Sequence, residues 1–91
     1  MKPPKAIALA KSYVADLFAD ENPANIGLEE IKFKRHRRRW AVTIGFFRSW
    51  EEQSALGLAA GLRRPRTYKI VVISDKDGTV LSVKHRQVGY P

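Results

Sequence analysis

A basic run, KFKRHRRRW at positions 32 to 40, holds the side chains with the most evident chemistry in this sequence. Six of its residues are Lys or Arg, and a tryptophan closes it. Lys and Arg side chains bind phosphate oxygens, and an aromatic ring can stack on an unpaired base. The run therefore raises the question of nucleic-acid binding. The whole chain carries a formal net charge of +8, which favours acidic partners in general.

The histidines and the acidic turn residues form no catalytic or metal-binding pattern. His36 lies within the basic run and His85 lies near the end of a predicted strand, which is typical of ordinary surface histidines. Asp75 and Asp77 lie in the turn SDKDG, where an Asp side chain commonly bonds to the turn backbone. A calcium loop would need further oxygen ligands and a closing Glu.

The remaining polar residues also lack partners for catalysis. Glu51 and Glu52 are adjacent at a predicted helix start and point in different directions, so they do not form a carboxylate pair. The serines belong to no nucleophile motif. The chain has no cysteine, which excludes disulfides, Cys-ligated zinc and thiol catalysis. We therefore expect a protein that is not an enzyme and that holds no metal or cofactor.

The length and composition favour one folded domain over residues 1–91. A chain of 91 residues has room for a single core, and 44% hydrophobic residues are typical of a globular protein. Lys2 and Lys5 precede an apolar stretch, but Lys11 and Asp16 interrupt it and no small-residue cleavage site follows. No segment approaches the ~20 apolar residues that span a bilayer. These features predict a cytoplasmic protein without a membrane segment.

The hydrophobic periodicity predicts one helix followed by four strands. Apolar residues recur at helical spacing over residues 4–19, after which Asn22 and Pro23 end the helix. The pattern then has the period of strands, and SDKDG is a strong hairpin signal. The predicted strands cover residues 28–35, 40–47, 66–74 and 79–86. A helix packed on one face of a four-stranded antiparallel meander is an α+β fold.

Residues 49–65, between the second and third strands, are long for a hairpin loop. Ser49 is a suitable N-cap, and Arg63 and Arg64 are suitable near a helix C-terminus. Gly57 and Gly61 weaken a helix by about 1 kcal/mol each relative to Ala. Both a short helix and a mobile loop are consistent with this composition.

The period of two along each strand assigns side chains to the two faces of the sheet. The helix covers one face, and the other face, the open face, is left to solvent or to a partner. The residues expected to face the helix are Ile31, Phe33, Trp40, Val42, Ile44, Phe46, Tyr68, Ile70, Val72, Leu81 and Val83. Those expected on the open face are Glu30, Lys32, Lys34, Ala41, Thr43, Gly45, Phe47, Lys69, Val71, Ile73, Val80, Ser82, Lys84 and Arg86.

Three interpretations of the open face and the basic turn remain: contact with an anion, a solvated surface, and contact with a partner protein. The candidate contacts for a nucleic acid or another anion are Lys32, Lys34, Arg35, Arg37, Arg38, Arg39, Lys69, Lys84 and Arg86. Phe47 is the one aromatic residue expected on this face, so weak phosphate contact is expected rather than tight base readout. Alternatively, the lysines keep a short sheet soluble and the arginines form a solvated turn. The candidate anchors for a partner protein or a second copy of the chain are Phe47, Trp50, Val71, Ile73 and Val80.

The order of elements resembles that of the small PepSY-type domains. The residues that carry the likeness are WAVTIGF and YKIVVISDKDGTVLSVK, and it is strongest in the final hairpin, from Tyr68 to Val83. The broader cystatin-like layout of one helix on an antiparallel sheet fits equally well. The resemblance implies a non-catalytic domain that binds or inhibits a partner protein.

These observations predict a small binding domain that acts through protein contact or self-association on its open face and through residues 49–65. The second hypothesis is weak binding of RNA or single-stranded DNA through the basic residues.

Overall fold

The computed structural model describes residues 1–48 and 66–86. Helix α1 spans Pro3–Leu17, and a short 3-10 helix spans Ala19–Glu21. The strands are β1 (Ala24–Lys34), β2 (Arg39–Phe47), β3 (Thr67–Ser74) and β4 (Val80–His85). They form one antiparallel sheet in the order β1-β2-β3-β4, which confirms the predicted α+β meander. The predicted helix or loop over 49–65 lies outside the described residues.

Helix α1 packs on the sheet through small side chains. Ala6, Ala10 and Val14, spaced four apart, are fully buried. Because the alanine side chain is a single methyl group, the helix backbone can approach the sheet closely. No large residue is needed at the centre of the contact between helix and sheet. The helix ends at Leu17 rather than at residue 19, and Asn22, in the left-handed region with φ 48°, turns the chain toward β1. The apolar pattern thus predicts the helix and the burial of Ala10 and Val14, whereas Tyr13 and Leu17, which belong to the same pattern, are exposed.

The core lies between α1 and the central strands. On β2, the predicted inward residues Trp40, Val42, Ile44 and Phe46 are all buried. The ring of Phe46 contacts the ring of Phe18, with 5.2 Å between centroids. β2 is flanked by a strand on each side, so its alternation of large apolar residues with small or polar residues gave the correct face.

The predicted phase of β3 is wrong. Val71 and Ile73 are fully buried against the helix, because Val71 pairs with Val42 and Ile73 pairs with Trp40. The same pairing places Lys69 on the helix side of the sheet. It places Tyr68, Ile70 and Val72, which were predicted to face the helix, on the open face. Four consecutive branched residues, at 70 to 73, carry no alternation, so only the pairing with β2 sets the face.

The predicted phase of β4 is correct for Ser82, Val83 and Lys84 but wrong for Val80 and Leu81, for a different reason. The register between β3 and β4 shifts between Val72 and Ile73, so that Ile73 pairs with Val80. Val80 therefore packs against the core together with Val83, whereas Leu81, predicted inward, is 46% exposed. An irregularity of this kind breaks the period of two within one strand, and no residue type in the sequence marks it.

The two hairpin turns meet at one end of the sheet. The basic turn between β1 and β2 is four residues long, and Arg38 lies in the left-handed region with φ 51°. That geometry costs a non-glycine residue roughly 1 kcal/mol. The backbone N–H of Asp75, in the other turn, donates to the Arg38 carbonyl oxygen at 3.0 Å. The tertiary contact between the turns thus holds a conformation that the Arg-rich sequence does not itself favour.

The turn between β3 and β4 has the predicted chemistry. Gly78 takes φ 75°, a region open to glycine, and its N–H donates to the Ser74 carbonyl oxygen at 2.9 Å. The Asp77 carboxylate accepts a hydrogen bond of 3.0 Å from the Thr79 backbone N–H. This local contact lowers the pKa of Asp77 below its ordinary value. Asp77 therefore stabilises the turn, as the SDKDG pattern predicts.

Candidate binding groove

The open face is organised in rows of side chains that cross the strands. Starting from the two turns, the first row is Lys34 and Arg39, with Ser74 beside them. The second row is Lys32, Ala41, Val72 and Ser82, and the third is Glu30, Thr43, Ile70 and Lys84. Cations thus lie at the edges and at the turn end, while small and aliphatic residues occupy the centre.

These rows line a groove of about 690 Å³. Its floor combines aliphatic and small residues, namely Ala41, Thr43, Ile70, Val72 and Leu81. Its rim is formed by Lys32, Lys34, His36, Arg37, Arg39 and Lys84, with Glu30 and Ser82 completing the lining. No aromatic residue lines it among the described residues. A basic rim around an apolar floor suits a ligand that is both acidic and apolar.

The predicted anion contacts do not all lie in the groove. Five of them line the groove, namely Lys32, Lys34, Arg37, Arg39 and Lys84. Arg35 is exposed in the basic turn, and Arg38 bonds to Asp75 at the end of the sheet. Arg86 crosses the open face, as described below. Lys69, on the opposite face, is wrongly placed by the sequence prediction.

Lys69 packs beside aromatic residues on the helix side of the sheet. Its Nζ atom lies 5.5 Å from the centroid of the Phe18 ring, and the Arg48 guanidinium lies 5.4 Å from the same ring. Burial lowers the pKa of Lys69, Arg48 lowers it further, and Glu21 opposes the change. Lys69 therefore cannot contribute to the open face.

The predicted interface anchors are also mostly unavailable. Val71 and Ile73 are fully buried, and Val80 packs against the core. Phe47 is half-buried, and the Arg66 guanidinium lies 4.7 Å from the centroid of its ring. Trp50 lies outside the described residues. The apolar surface on the open face comes instead from the groove floor, where the incorrect strand phases had placed Ile70, Val72 and Leu81 in the core.

Arg86 spans the open face at the end away from the turns. This residue directly follows β4, yet its Nη1 atom donates to Glu30 Oε1 on β1 at 3.0 Å and to Thr43 Oγ1 on β2 at 3.3 Å. Given the strand order, the side chain must pass over β3. The open face is therefore concave, and its far end is bridged from one edge strand to the other.

A second ion pair neutralises the same end. Arg66 Nη2 lies 3.6 Å from Glu29 Oε2 and donates to the Asn25 carbonyl oxygen at 3.0 Å. A Cβ atom at position 45 would meet the Arg66 guanidinium and the Glu29 carboxylate at 3.0 Å. Gly45 therefore leaves space for this pair against the sheet.

Most rim cations near the turns have no such partners. Across residues 1–48 and 66–86, Lys34, Arg37 and Arg39 at the turn end make no ion pair, nor does Lys84 in the third row, whereas Lys32 lies 4.0 Å from Glu30. The turn end therefore keeps more positive charge than the end where Glu29 and Glu30 are paired. Exposed cations without partners attract an acidic ligand most strongly where their fields add.

Asp75 holds the basic end in place. Its Oδ1 atom accepts hydrogen bonds of 2.9 Å from the Trp40 indole and from the amino group of Met1, and Oδ2 accepts one of 3.1 Å from Arg38. The side chain of Asp75 is 9% exposed. The indole and the amino group lower the pKa of Asp75 below its ordinary value of 3.8, and Arg38 adds to this effect.

Replacing Asp75 with Asn should give a pH-dependent loss of stability. Because the folded state lowers the pKa of Asp75, its charge stabilises the fold above about pH 4, and this contribution is lost as the pH falls through the folded-state value. Urea unfolding should therefore show D75N to be less stable than the wild type at pH 7, with a gap that shrinks below pH 4. Asp77 is present in both proteins, so the difference isolates Asp75. A gap that stays constant down to pH 3 would contradict this assignment.

No protein-family model, curated protein or solved structure matches this chain. The groove is therefore the feature from which a function can be proposed.

Metal-binding clusters and helices fit to cross a membrane are absent from the part of the chain that the structure describes. No group of His, Asp and Glu side chains there could hold a metal ion. None of its helices is both long and apolar enough to cross a membrane.

Proposed function

We propose that this chain is a binding module that captures an acidic, amphipathic segment of a partner protein on its open sheet face. The observation that carries the proposal is an aliphatic floor beside rim cations of which four, Lys34, Arg37, Arg39 and Lys84, have no ion-pair partner in the described residues. Such a segment would place apolar side chains on Ile70, Val72 and Leu81 and carboxylates against the rim. A partner-binding role is also what the resemblance to PepSY-type domains implies.

The floor favours a protein over a nucleic acid. Single-stranded nucleic acids gain roughly 1 to 3 kcal/mol for each base stacked on an aromatic ring, and the groove supplies only branched aliphatic and small residues. Aliphatic floors suit leucine, valine and isoleucine side chains, which gain about 25 cal/mol for each Å² of apolar surface removed from water. Phosphate contact alone would give weak binding that falls steeply with salt.

The rim also disfavours self-association through this face. A two-fold axis through the groove would bring the two basic rims toward each other, and like charges at an interface cost binding energy. The apolar anchors predicted for a dimer, Val71 and Ile73, are buried under the helix. An acidic partner protein would complement both the positive charge of the rim and the apolar surface of the floor.

Charge reversal at the rim should weaken binding to an acidic amphipathic peptide. The probe is a fluorescein-labelled peptide with a block of Asp and Glu residues and a block of Leu and Val residues, titrated by fluorescence anisotropy at two salt concentrations. Each exposed ion pair is worth up to about 1 kcal/mol, and reversal replaces attraction with repulsion. The double variant K34E/R37E should therefore bind at least about tenfold more weakly, where tenfold corresponds to 1.4 kcal/mol.

The matched control is K5E/K11E, which makes the same change in net charge. Lys5 and Lys11 lie on α1, which packs on the face of the sheet opposite the groove. Salt screens distant charges over about 8 Å at physiological ionic strength, so this control should change the affinity only slightly. Equal losses in both double variants would show that net charge, and not the groove, attracts the peptide.

Titration with a single-stranded oligonucleotide tests the second hypothesis, which is nucleic-acid binding. Contact with about four phosphates predicts a slope near −3 for log K against log salt. Oligonucleotide binding with that slope, together with no binding of the peptide, would overturn the proposal in favour of nucleic acid. A peptide whose Leu and Val residues are replaced by Ser tests the floor, because its affinity should fall although its charge is unchanged.

A further inference from the structure

We infer that the groove binds its ligand in one direction, with the acidic end at the two hairpin turns and the apolar part toward the middle of the sheet. This inference rests on the proposed function and adds the order and length of the bound segment. It follows from the unequal charge of the two ends of the groove.

The turn end presents uncompensated positive charge. Lys34 and Arg39 are neighbours across β1 and β2, and Arg37 extends from the adjoining turn. Of the two carboxylates in the turns, Asp75 accepts hydrogen bonds from Trp40 and Arg38, and Asp77 accepts one from the Thr79 backbone. The Asp75 contacts hold the turn without drawing Arg37 or Arg39 away from a ligand, since neither of them bonds to it in the described residues.

The opposite end carries less positive charge, since Lys84 is the one rim cation there without an ion pair in the described residues, and the Arg86 side chain crosses it. Glu30 is bonded to Arg86, and Glu29 is paired with Arg66, so each carboxylate there has its own cation. An acidic group placed at that end would meet Glu29 and Glu30 as well as the two arginines. The side chain of Arg86 also crosses the sheet and limits how far a ligand can extend.

The distance between the rows sets the length of the segment. The first and third rows, at Arg39 and Thr43 on β2, are four residues apart, or about 13 Å at roughly 3.3 Å per residue. That span corresponds to about four residues of an extended segment or about nine residues of a helix. The ligand is therefore a short motif with carboxylates at one end, followed by apolar residues that cover Val72, Ile70 and Leu81.

A spin-labelled peptide tests the direction. The acidic amphipathic peptide carries a nitroxide either at its acidic end or at its apolar end, and paramagnetic broadening of backbone amide signals is measured on the full-length protein. The acidic-end label should broaden the signals of His36 to Arg38, and the apolar-end label should broaden those of Thr43 and Ile70. In a peptide with the same composition but reversed order along the chain, the broadening should follow the acidic block and not the peptide N-terminus.

The outcomes separate the two proposals. If the peptides bind and each label broadens both ends of the groove equally, the inferred direction is wrong and the proposed function stands. If neither peptide binds at low salt, the proposed function and the inferred direction both fail. As a further check, R39E should weaken binding of the peptide with a complete acidic block several-fold, and should have a much smaller effect on a peptide whose acidic block is replaced by Ser.

Discussion

Replacing Val71 with Asp is expected to unfold the protein. Val71 is fully buried between β2 and β4, where it pairs with Val42 and Val83. An aspartate at this position would place a carboxylate in an apolar environment with no cation paired to it. Such changes cost more than about 4 kcal/mol, a large part of the roughly 5 to 15 kcal/mol that stabilise a domain of this kind.

The neighbouring residue provides a matched control. Val72 lies on the open face, half-buried, in the same row as Lys32 and Ala41. An aspartate there can reach water and lies among cations, so V72D should remain folded. Because its carboxylate would occupy the floor and compete with an acidic ligand for the rim, V72D should also lose binding of the acidic peptide.

Circular dichroism and urea unfolding of the two variants would check this prediction. V71D should lack a cooperative transition at 25 °C, and V72D should retain one close to that of the wild type. A folded V71D beside an unfolded V72D would reverse the phase of β3 and with it the composition of the groove floor. Equal tolerance of both variants would show that neither residue lies in a packed core.

The comparison of Val71 with Val72 shows where sequence reasoning is sufficient and where it is not. On β2, large apolar residues alternate with Ala41, Thr43 and Gly45, so the period of two identifies the buried face. On β3, four branched residues follow one another, and both faces appear equally apolar. Only the pairing with β2, which depends on long-range contacts, assigns Val71 to the core.

The groove was predictable only in part. The lysines of β1 and the arginines of the turn follow from the strand boundaries, which are given by local patterns. The floor depends on the phase of β3 and on the irregular register of β4, and neither has a local signal. The bridge from Arg86 to Glu30 joins residues that are 56 positions apart and depends on the curvature of the sheet. The charge asymmetry therefore becomes visible only in three dimensions.

The tryptophan that closes the basic run belongs to the core and also supports the groove. Trp40 is 8% exposed, and its ring lies against Phe33 with 4.8 Å between centroids. Its indole N–H bonds to Asp75, which in turn fixes Arg38 in the basic turn. The Trp40 side chain thus contributes both to core packing and to the geometry of the basic turn. Two substitutions can distinguish these contributions.

Trp40→Ala should destabilise the protein by about 3 to 5 kcal/mol, the range for removing a large buried aromatic residue. Trp40→Phe keeps a ring against Phe33 and removes the N–H, and should cost about 1 to 2 kcal/mol. Urea unfolding would measure both values. Equal costs for the two variants would show that the hydrogen bond, and not the packing, accounts for the contribution of Trp40.

Trp40→Phe should in addition weaken binding of the acidic peptide although the Trp40 side chain lies in the core, on the face of the sheet opposite the floor. Without the indole donor, the turn loses one of the contacts that hold Arg37 and Arg39 in position, and ordering them on binding costs affinity. We expect a loss of a few-fold. Ile44→Val, at a fully buried position nearer the far end of β2, costs about 0.5 to 1.5 kcal/mol and should leave the affinity unchanged. Equal losses of affinity in the two variants would mean that peptide binding depends on general stability, and the link from the Trp40 indole to the basic end of the groove would be wrong.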